Sequence, residues 1–336
     1  MSSSNTSADL IASVNNVSNI ILRYIPIFIY AFGLVGNCLN VLVLGQRNLR
    51  STPSAIFFLF SSIAGCIVIV SGLTSRMMSG YSVDLTLTVG WICKIRNLIL
   101  YSARTLVLLM IVLATIDRWL LSSVNVHFRH MSNMKNVQRS ICIAFIYTCV
   151  INAPIIFCYQ ANLTDTIRGC YGSTYACRLT TDLIYAFGST LLPLFLMIVF
   201  GLLTVKNVRQ VRRRVQVMDG TTTSQDNRNA SPNVTEQQRL RKRDRSLLRM
   251  LFVQVSFLIL LTCPHAVQKV YSSFAASPPP QSLEYAIQTL IFNFFTLFTF
   301  TASGMPFYIY TLTGGIIFRD ALFDLIKPGI LKKFCH

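Results

Sequence analysis

The chain has 336 residues, of which 53% are hydrophobic and only 12% are charged. Soluble globular domains carry roughly 25% charged residues, so this composition excludes an ordinary soluble domain and predicts a membrane protein. The net charge of +18 would suit a nucleic-acid partner, but most lysines and arginines lie between apolar runs, on one predicted side of the membrane. By the positive-inside rule that side is cytoplasmic. The charge therefore indicates topology, and we expect no nucleic-acid partner.

The chain begins with a polar segment, residues 1–19, which is rich in serine and asparagine. It lacks the basic and apolar regions of a cleavable signal peptide, so we expect the first apolar run to direct insertion. Glycosylation sequons occur at Asn5 and Asn16, and a third lies at Asn162, between the fourth and fifth apolar runs. These three sequons agree with an extracellular N-terminus and an extracellular Asn162 loop, and we expect a protein of the plasma membrane. Sequons at Asn229 and Asn233 lie on the side that the charge distribution assigns to the cytoplasm, where they should stay unmodified.

Seven apolar runs are long enough to cross a bilayer as helices. They predict an all-α membrane protein, a seven-transmembrane-helix bundle over 20–312, with a disordered basic loop at 206–246. The cytoplasmic tail, 313–336, contains a predicted short amphipathic helix, because residues 318, 322, 325 and 326 are apolar. Cys335 is a candidate for palmitoylation. The predicted spans are about 20–44, 55–78, 93–119, 139–159, 182–205, 247–274 and 283–312.

The third span contains the most informative pattern. Cys93 opens it, and Asp117-Arg118-Trp119 closes it. At about 1.5 Å rise per residue, the stretch from Cys93 to Arg118 is about 37 Å long, which carries a helix from one membrane face to the other. A cysteine at one surface and an Asp-Arg pair at the other resemble the third helix of rhodopsin-like (class A) G protein-coupled receptors.

Motifs in other spans support the same resemblance. The first span contains a G-N-x-x-N-V sequence from residue 36, LTCP at 261–264 is similar to the family's C-W-x-P, and MPFYIY at 305–310 resembles N-P-x-x-Y. The chain departs from the family at Gly65, Thr262 and Met305, where relatives carry a sodium-binding aspartate, a tryptophan and an asparagine. It most resembles invertebrate FMRFamide-type and other neuropeptide receptors. The expected helix-packing residues are Asn37, Pro193, Pro264 and Pro306.

The resemblance implies a receptor that binds an extracellular ligand and activates a heterotrimeric G protein. The histidines and cysteines form no catalytic, cofactor or metal-binding pattern, so we predict no enzyme, cofactor or metal. The motif departures leave open a seven-span protein that does not couple or is constitutively active. A small transporter is a further alternative, although the chain shows no internal repeat. Basic residues at both ends of 206–246 fit contact with anionic membrane lipid and a G protein, and solvated charge would also explain them.

Two observations narrow the ligand that the resemblance implies. Leu100 occupies the place where amine-binding relatives carry an aspartate, and residues 283–312 contain no lysine for retinal. We therefore expect a peptide, rather than a biogenic amine or retinal, in a basic cavity near the extracellular surface. The predicted cavity residues are Arg76, Arg96, Leu100, Arg104, His265, Gln268, Lys269 and Gln288.

Arg104 lies near the middle of the third span, where a lipid-facing arginine would cost about 2.5 kcal/mol or more. At 100° per residue, Cys93, Leu100, Arg104 and Arg118 fall within about 40° of one another on the helix surface. We therefore predict that Arg104 faces the bundle interior. There it either contacts an anionic or carbonyl-rich part of the ligand, or is a structural arginine bonded to polar groups of the bundle.

The resemblance also implies a disulfide between Cys93 and the loop after the fourth span. We favour Cys170 as the partner, because its separation from Pro193 leaves room for a loop and the outer half of the fifth helix, and Cys177 remains the alternative. The cysteines inside apolar runs are expected to be small buried hydrophobes. These are Cys38, Cys66, Cys142, Cys149, Cys158 and Cys263.

At the cytoplasmic face the resemblance implies a switch formed by Asp117, Arg118, Trp119, Asp244 and Tyr310. We expect Arg118 to pair with Asp117 and Asp244 in the inactive state and to be released on activation. The alternative is that Asp244, which lies inside the basic run RKRDR, only offsets local repulsion.

Overall fold

Long helices dominate the computed structural model of the chain. It describes residues 2–50, 52–81, 83–163, 169–221, 232–275, 278–279, 282–313, 318 and 322–323, and the side chains from residue 8 onward except 47–48, 211–221 and 232–248. Seven helices in these ranges are long and apolar enough to cross a membrane. The predicted all-α seven-span bundle is therefore confirmed. The α-helices are α1 (Ser2–Leu44), α2 (Arg47–Arg50), α3 (Pro53–Gly80), α4 (Gly90–Ser122), α5 (Val126–Met131), α6 (Met134–Asn152), α7 (Pro154–Cys158), α8 (Tyr175–Leu183), α9 (Leu192–Thr221), α10 (Pro232–Phe274), α11 (Leu283–Gly304) and α12 (Pro306–Thr313).

The seven spans, first to seventh, are α1, α3, α4, α6 with α7, α8 with α9, α10, and α11 with α12. The third span packs against the second, fourth and fifth, and the seventh span packs against the first and sixth. Their facing apolar side chains form one continuous core. We call the end of the bundle that carries Cys93 the outer end, and the end that carries Arg118 the inner end.

Prolines shape the fifth, sixth and seventh spans, because proline has no backbone N–H and its ring clashes with the carbonyl four residues earlier. Pro193 follows a wider, π-helical segment, Ile184–Leu191, which relieves that clash upstream. Pro264 lies inside α10. The predicted single seventh helix is instead two helices, since Met305 ends α11 and Pro306 begins α12.

Helical structure extends past three predicted boundaries. Residues 2–19 continue the first span as part of one helix. Within 206–246, which the sequence predicts as disordered, α9 continues to Thr221 and α10 begins at Pro232. Arginine, lysine, glutamine and glutamate favour helix, and a helix that continues a formed span needs no new nucleus. Of the predicted amphipathic helix, only residues 318 and 322–323 are described. Cys335 lies outside the described residues.

The loop after the fourth span forms a two-stranded antiparallel hairpin, β1 (Tyr159–Gln160) with β2 (Tyr171–Gly172). Cys170, which directly precedes β2, is bonded to Cys93 with their Cα atoms 5.8 Å apart. The favoured pairing is thus the one that the structure contains. A cross-link that closes a loop of this length stabilises a fold by about 4 kcal/mol, and it holds the hairpin over the outer end of the third span.

A second disulfide joins Cys158 to Cys177, with the Cα atoms 5.3 Å apart. The expectation that Cys158 is a buried hydrophobe is therefore wrong. It is also wrong for Cys38, Cys142 and Cys149, whose side chains are exposed on the outside of the bundle, while Cys66 and Cys263 are partly buried. Cys158 ends the apolar run of the fourth span, and the turn into the hairpin brings it beside the start of the fifth. The bond fixes the outer ends of these two spans relative to each other.

Asn37 joins the first span to the seventh. Its Nδ2 donates to the carbonyl oxygens of Gly33 (2.9 Å) and Ser303 (3.0 Å), so both N–H groups of this buried amide are bonded, while its Oδ1 has no hydrogen-bond partner among the described residues. Gly65 of the second span lies against the same amide: a Cβ at this position would lie 2.8 Å from Asn37 Oδ1. The close approach of Asn37 is therefore a packing reason for glycine at position 65.

Two of the three predicted glycosylation sites are on the surface. Asn16 is exposed on α1, and Asn162 is exposed in the outer loop. Asn162 has φ of 60°, in the left-handed region that asparagine tolerates better than most residues. The side chain of Asn5 lies outside the described residues. Glycosylation at these positions stays a prediction.

Candidate ligand cavity and inner-end switch

A cavity of about 470 Å³ opens at the outer end of the bundle. Side chains of the first, second, third, sixth and seventh spans line it, together with the hairpin. Its volume falls within the range of about 300–1,000 Å³ that is typical of small-ligand sites. Five of the eight predicted cavity residues line it: Arg76, Arg96, Leu100, Arg104 and His265.

The cavity is basic. Three arginines line it, and Asp84 is the one acid among its described lining residues. The Asp84 carboxylate accepts hydrogen bonds from the backbone N–H (2.9 Å) and the hydroxyl (2.7 Å) of Thr86, so it stabilises its own turn. A cleft lined by an excess of one charge attracts ligands of the opposite charge. The cavity therefore favours an anionic ligand.

Arg96 has a structural role. Its Nε donates to the carbonyl oxygen of Ser71 and its Nη2 to that of Gly72, each at 3.1 Å. Its Nη1 donates to Asn97 Oδ1, also at 3.1 Å. Each of its three nitrogens thus makes a bond within the protein, and the bonds to Ser71 and Gly72 join the third span to the second.

Arg76 joins three spans at the cavity wall. Its Nη1 donates to Asn293 Oδ1 at 3.1 Å, and its guanidinium lies 5.4 Å from the centre of the Phe292 ring. Asn293 in turn donates to Ser18 Oγ at 3.2 Å. Ser18 belongs to the segment that the sequence predicts as an N-terminal tail, and only the helical continuation of the first span places it in the cavity.

Arg104 is buried, with 7% of its surface exposed, and lines the floor of the cavity. Its guanidinium carbon lies 4.8 Å from the centre of the Phe300 ring. Its Nη1 donates to the hydroxyl of Tyr185 at 3.4 Å, and that hydroxyl is 3.0 Å from His265 Nδ1. The chain of contacts connects the third, fifth and sixth spans.

The other three predicted cavity residues, Gln268, Lys269 and Gln288, do not line this cavity. Lys269 is buried, and its Nζ is 2.6 Å from Asp182 Oδ1. Gln288 donates to Glu284 Oε1 at 3.2 Å. Position along the sixth span placed Lys269 near the rim, but the carboxylate of the fifth span draws its ammonium away from the cavity.

The ion pair sits in a polar cluster beneath the hairpin. Asp182 also accepts hydrogen bonds from the hydroxyls of Tyr171 and Ser273. This cluster joins the hairpin, the fifth span and the sixth span. Sequence reasoning missed it, because no spacing links these residues before the chain folds. Lys269 Nζ also lies 5.0 to 5.6 Å from the centres of three tyrosine rings, those of Tyr101, Tyr171 and Tyr185.

Asp117 and Arg118 are buried at the inner end. Asp117 Oδ2 accepts a hydrogen bond from Ser54 Oγ at 2.5 Å, and Oδ1 accepts one from Ser132. Asp117 therefore joins the third span to the second and to the inner loop. Asp244 lies in α10 with its side chain outside the described set, so its pairing with Arg118 stays a prediction.

Trp119 and Tyr310 complete the predicted switch residues. The Trp119 ring packs against Phe128 and Phe200, with centres 5.5 and 5.3 Å away. Tyr310 is fully buried, and its hydroxyl donates to Gln254 Oε1 at 2.8 Å. Tyr310 thus connects the seventh span to the sixth.

A family model, 7 transmembrane receptor (rhodopsin family), matches residues 36–310. The chain belongs to the rhodopsin family of seven-transmembrane receptors. The protein is therefore a multi-pass membrane receptor and not an enzyme, in agreement with both expectations from the sequence. A comparison of this receptor with curated proteins finds no match.

The sixth span of this rhodopsin-family receptor departs from the family motif in an informative way. Thr262, which stands where a tryptophan is expected, donates to the Leu258 carbonyl oxygen at 2.6 Å and so bonds within its own helix. His265, less than one turn further on, provides an aromatic ring instead. Its ring centre lies 5.4 Å from that of Tyr185 and 5.6 Å from that of Phe292. His265 is thus the aromatic contact between the sixth span and the cavity floor.

Proposed function

We propose that this receptor binds an extracellular peptide in its outer cavity and, when occupied, activates a heterotrimeric G protein at its inner end. The observation that carries the proposal is the buried Arg104 on the floor of a basic cavity. Peptides offer what such a site binds: acidic side chains, a terminal carboxylate and many carbonyl oxygens. The resemblance to neuropeptide receptors supports the same ligand class.

The proposed orientation places the outer end outside the cell and the N-terminus with it. Both disulfides lie at this end, and disulfides persist in oxidising compartments. The sequon at Asn16 is exposed on the same side. The basic residues of 206–249 are concentrated at the inner end, which the positive-inside rule assigns to the cytoplasm.

The cavity lining argues against the other common ligands of the family. Leu100 lines the cavity at the position where the resemblance implies an aspartate for amine ligands, and an apolar side chain offers an ammonium group no counter-charge. The seventh span provides no lysine for retinal.

The inner end offers a surface for a G protein. The fifth and sixth spans extend to Thr221 and from Pro232, and basic residues concentrate along both extensions. Such helices attract anionic lipid headgroups and acidic partner surfaces. Asp117, Arg118 and Asp244 are the proposed switch between inactive and active states.

The proposal is tested in cells that carry the receptor and a promiscuous G protein reporter, challenged with a panel of neuropeptides. We expect at least one peptide to activate the reporter, and Arg104→Gln to reduce its potency by about tenfold or more, as expected for loss of a charged contact. Arg23→Gln is the matched control, because Arg23 is exposed near the outer surface and does not line the cavity.

Each outcome is informative. Retained surface expression with reduced potency supports Arg104 as a ligand contact, whereas loss of surface expression assigns it a structural role. Unchanged potency in Arg104→Gln would refute the proposed binding mode. Reporter activity that is high without any peptide would favour a constitutively active receptor.

A further inference from the structure

The guanidinium of Arg104 has one edge that is not used. Nη1 donates to Tyr185, while Nε and Nη2 are buried and have no hydrogen-bond partner among the described residues. In the planar guanidinium group these two nitrogens lie on the same edge, and their N–H bonds point in parallel. Arg104 therefore presents a two-pronged donor on the floor of the cavity.

Leaving such donors unpaired is costly. A buried donor without a partner loses its hydration and gains nothing in return, and the cost is larger for a charged group. The described acids of this region do not relieve it: the Asp182 carboxylate binds Lys269, Tyr171 and Ser273, and Asp84 is bonded to its own turn. Nε and Nη2 of Arg104 therefore require a hydrogen-bond acceptor that a ligand would supply.

The shape and charge of the site select the acceptor. Two parallel N–H donors match the two oxygens of a carboxylate, the bidentate geometry that arginine favours. The ring of Phe300 lies over the guanidinium and Leu100 lines the same cavity, which suits a planar group on an apolar stem. Each nitrogen of Arg96 already donates one hydrogen bond, to Ser71, Gly72 or Asn97, so a singly charged group fits better than a doubly charged phosphate.

We propose that the ligand of this receptor presents a carboxylate that binds side-on to Nε and Nη2 of Arg104. The proposal rests on the proposed function and specifies the chemical group that reaches the cavity floor. A peptide C-terminus, an acidic side chain and a small organic acid share this chemistry.

The test uses the purified full-length receptor and needs no signalling, so its failure is distinct from failure of the proposed function. Thermal unfolding is measured with millimolar pentanoate, pentanamide or pentylphosphonate. We expect pentanoate to raise the unfolding temperature of the unmodified receptor by roughly 2–4 °C, as ligand linkage predicts for a concentration well above the dissociation constant. Pentanamide, which has the same stem and no charge, should produce no shift.

Variants then locate the effect. Arg104→Gln should abolish the rise in unfolding temperature with pentanoate. Arg104→Lys should reduce it, because lysine lacks the two parallel N–H donors, and Arg23→Gln should retain it. Equal shifts with pentanoate and pentanamide, a shift that persists in Arg104→Gln, or stabilisation by pentylphosphonate alone would each overturn the proposal. If Arg104→Gln does not fold, Arg104→Lys takes its place, and a pentanoate shift as large in Arg104→Lys as in the unmodified receptor would overturn the proposal.

The source of the carboxylate is resolved in the cell assay with any active peptide from the panel. Loss of potency on C-terminal amidation identifies the terminus, and loss on Glu→Gln or Asp→Asn exchange in the peptide identifies a side chain. A peptide that is equally potent with every carboxylate neutralised would overturn the carboxylate site while leaving the peptide receptor intact.

Discussion

Exchanging Lys269 for methionine removes the cation of a buried ion pair that joins the fifth and sixth spans. The ammonium and the Asp182 carboxylate are 2.6 Å apart, and the two side chains are 1% and 0% exposed. Loss of one partner from such a pair leaves an uncompensated charge away from water, which costs about 3–5 kcal/mol. The expected cost applies to Lys269→Met and to Asp182→Asn alike.

The double variant, Asp182→Asn with Lys269→Met, contains no buried charge at this site. We therefore expect it to be no less stable than either single variant, so that the cycle gives an interaction free energy of about 3 kcal/mol or more. The measurement is thermal unfolding of the purified receptor in detergent, where each single exchange should lower the unfolding temperature by roughly 6–15 °C.

Lys94→Met is the control, because the same exchange there affects a partly exposed side chain at the outer end of the third span. It should change stability by no more than about 0.5 kcal/mol. Additive losses in the double variant would refute the reasoning, since they would mean that the two charges do not depend on each other.

Two further predictions concern the core and the inner end. Gly65→Ala places a methyl group 2.8 Å from a buried amide oxygen and should destabilise the receptor by about 1–3 kcal/mol. Gly90→Ala is the control, because nothing lies within 4 Å of that position, and it should not destabilise the receptor. Equal unfolding temperatures of the two variants would contradict the packing explanation for Gly65. Asp244→Ala should raise basal signalling severalfold, because it removes the predicted pairing of Asp244 with Arg118, which would stabilise the inactive state by about 1–3 kcal/mol. Basal activity that stays unchanged at equal surface expression would count against this pairing.

The sequence was sufficient wherever a property depends on residues close together in the chain. Seven runs of apolar residues determine seven membrane helices, because hydrocarbon requires that each segment satisfy its own backbone hydrogen bonds. Helical periodicity placed Arg104 on the face that the structure buries. Chain separation also favoured Cys170 over Cys177 as the partner of Cys93, where the family resemblance required a bond.

Tertiary structure decided which groups meet. Cys158 and Cys177 are bonded, and Lys269 is paired with Asp182, because the hairpin and the outer ends of the fourth, fifth and sixth spans lie close together. No local sequence pattern predicts that these segments meet. The same holds for the edge of Arg104. Periodicity places this arginine inside the bundle, but whether its donors are used depends on neighbours from other spans. Among the described residues, those neighbours bind one nitrogen and leave two without a hydrogen-bond partner.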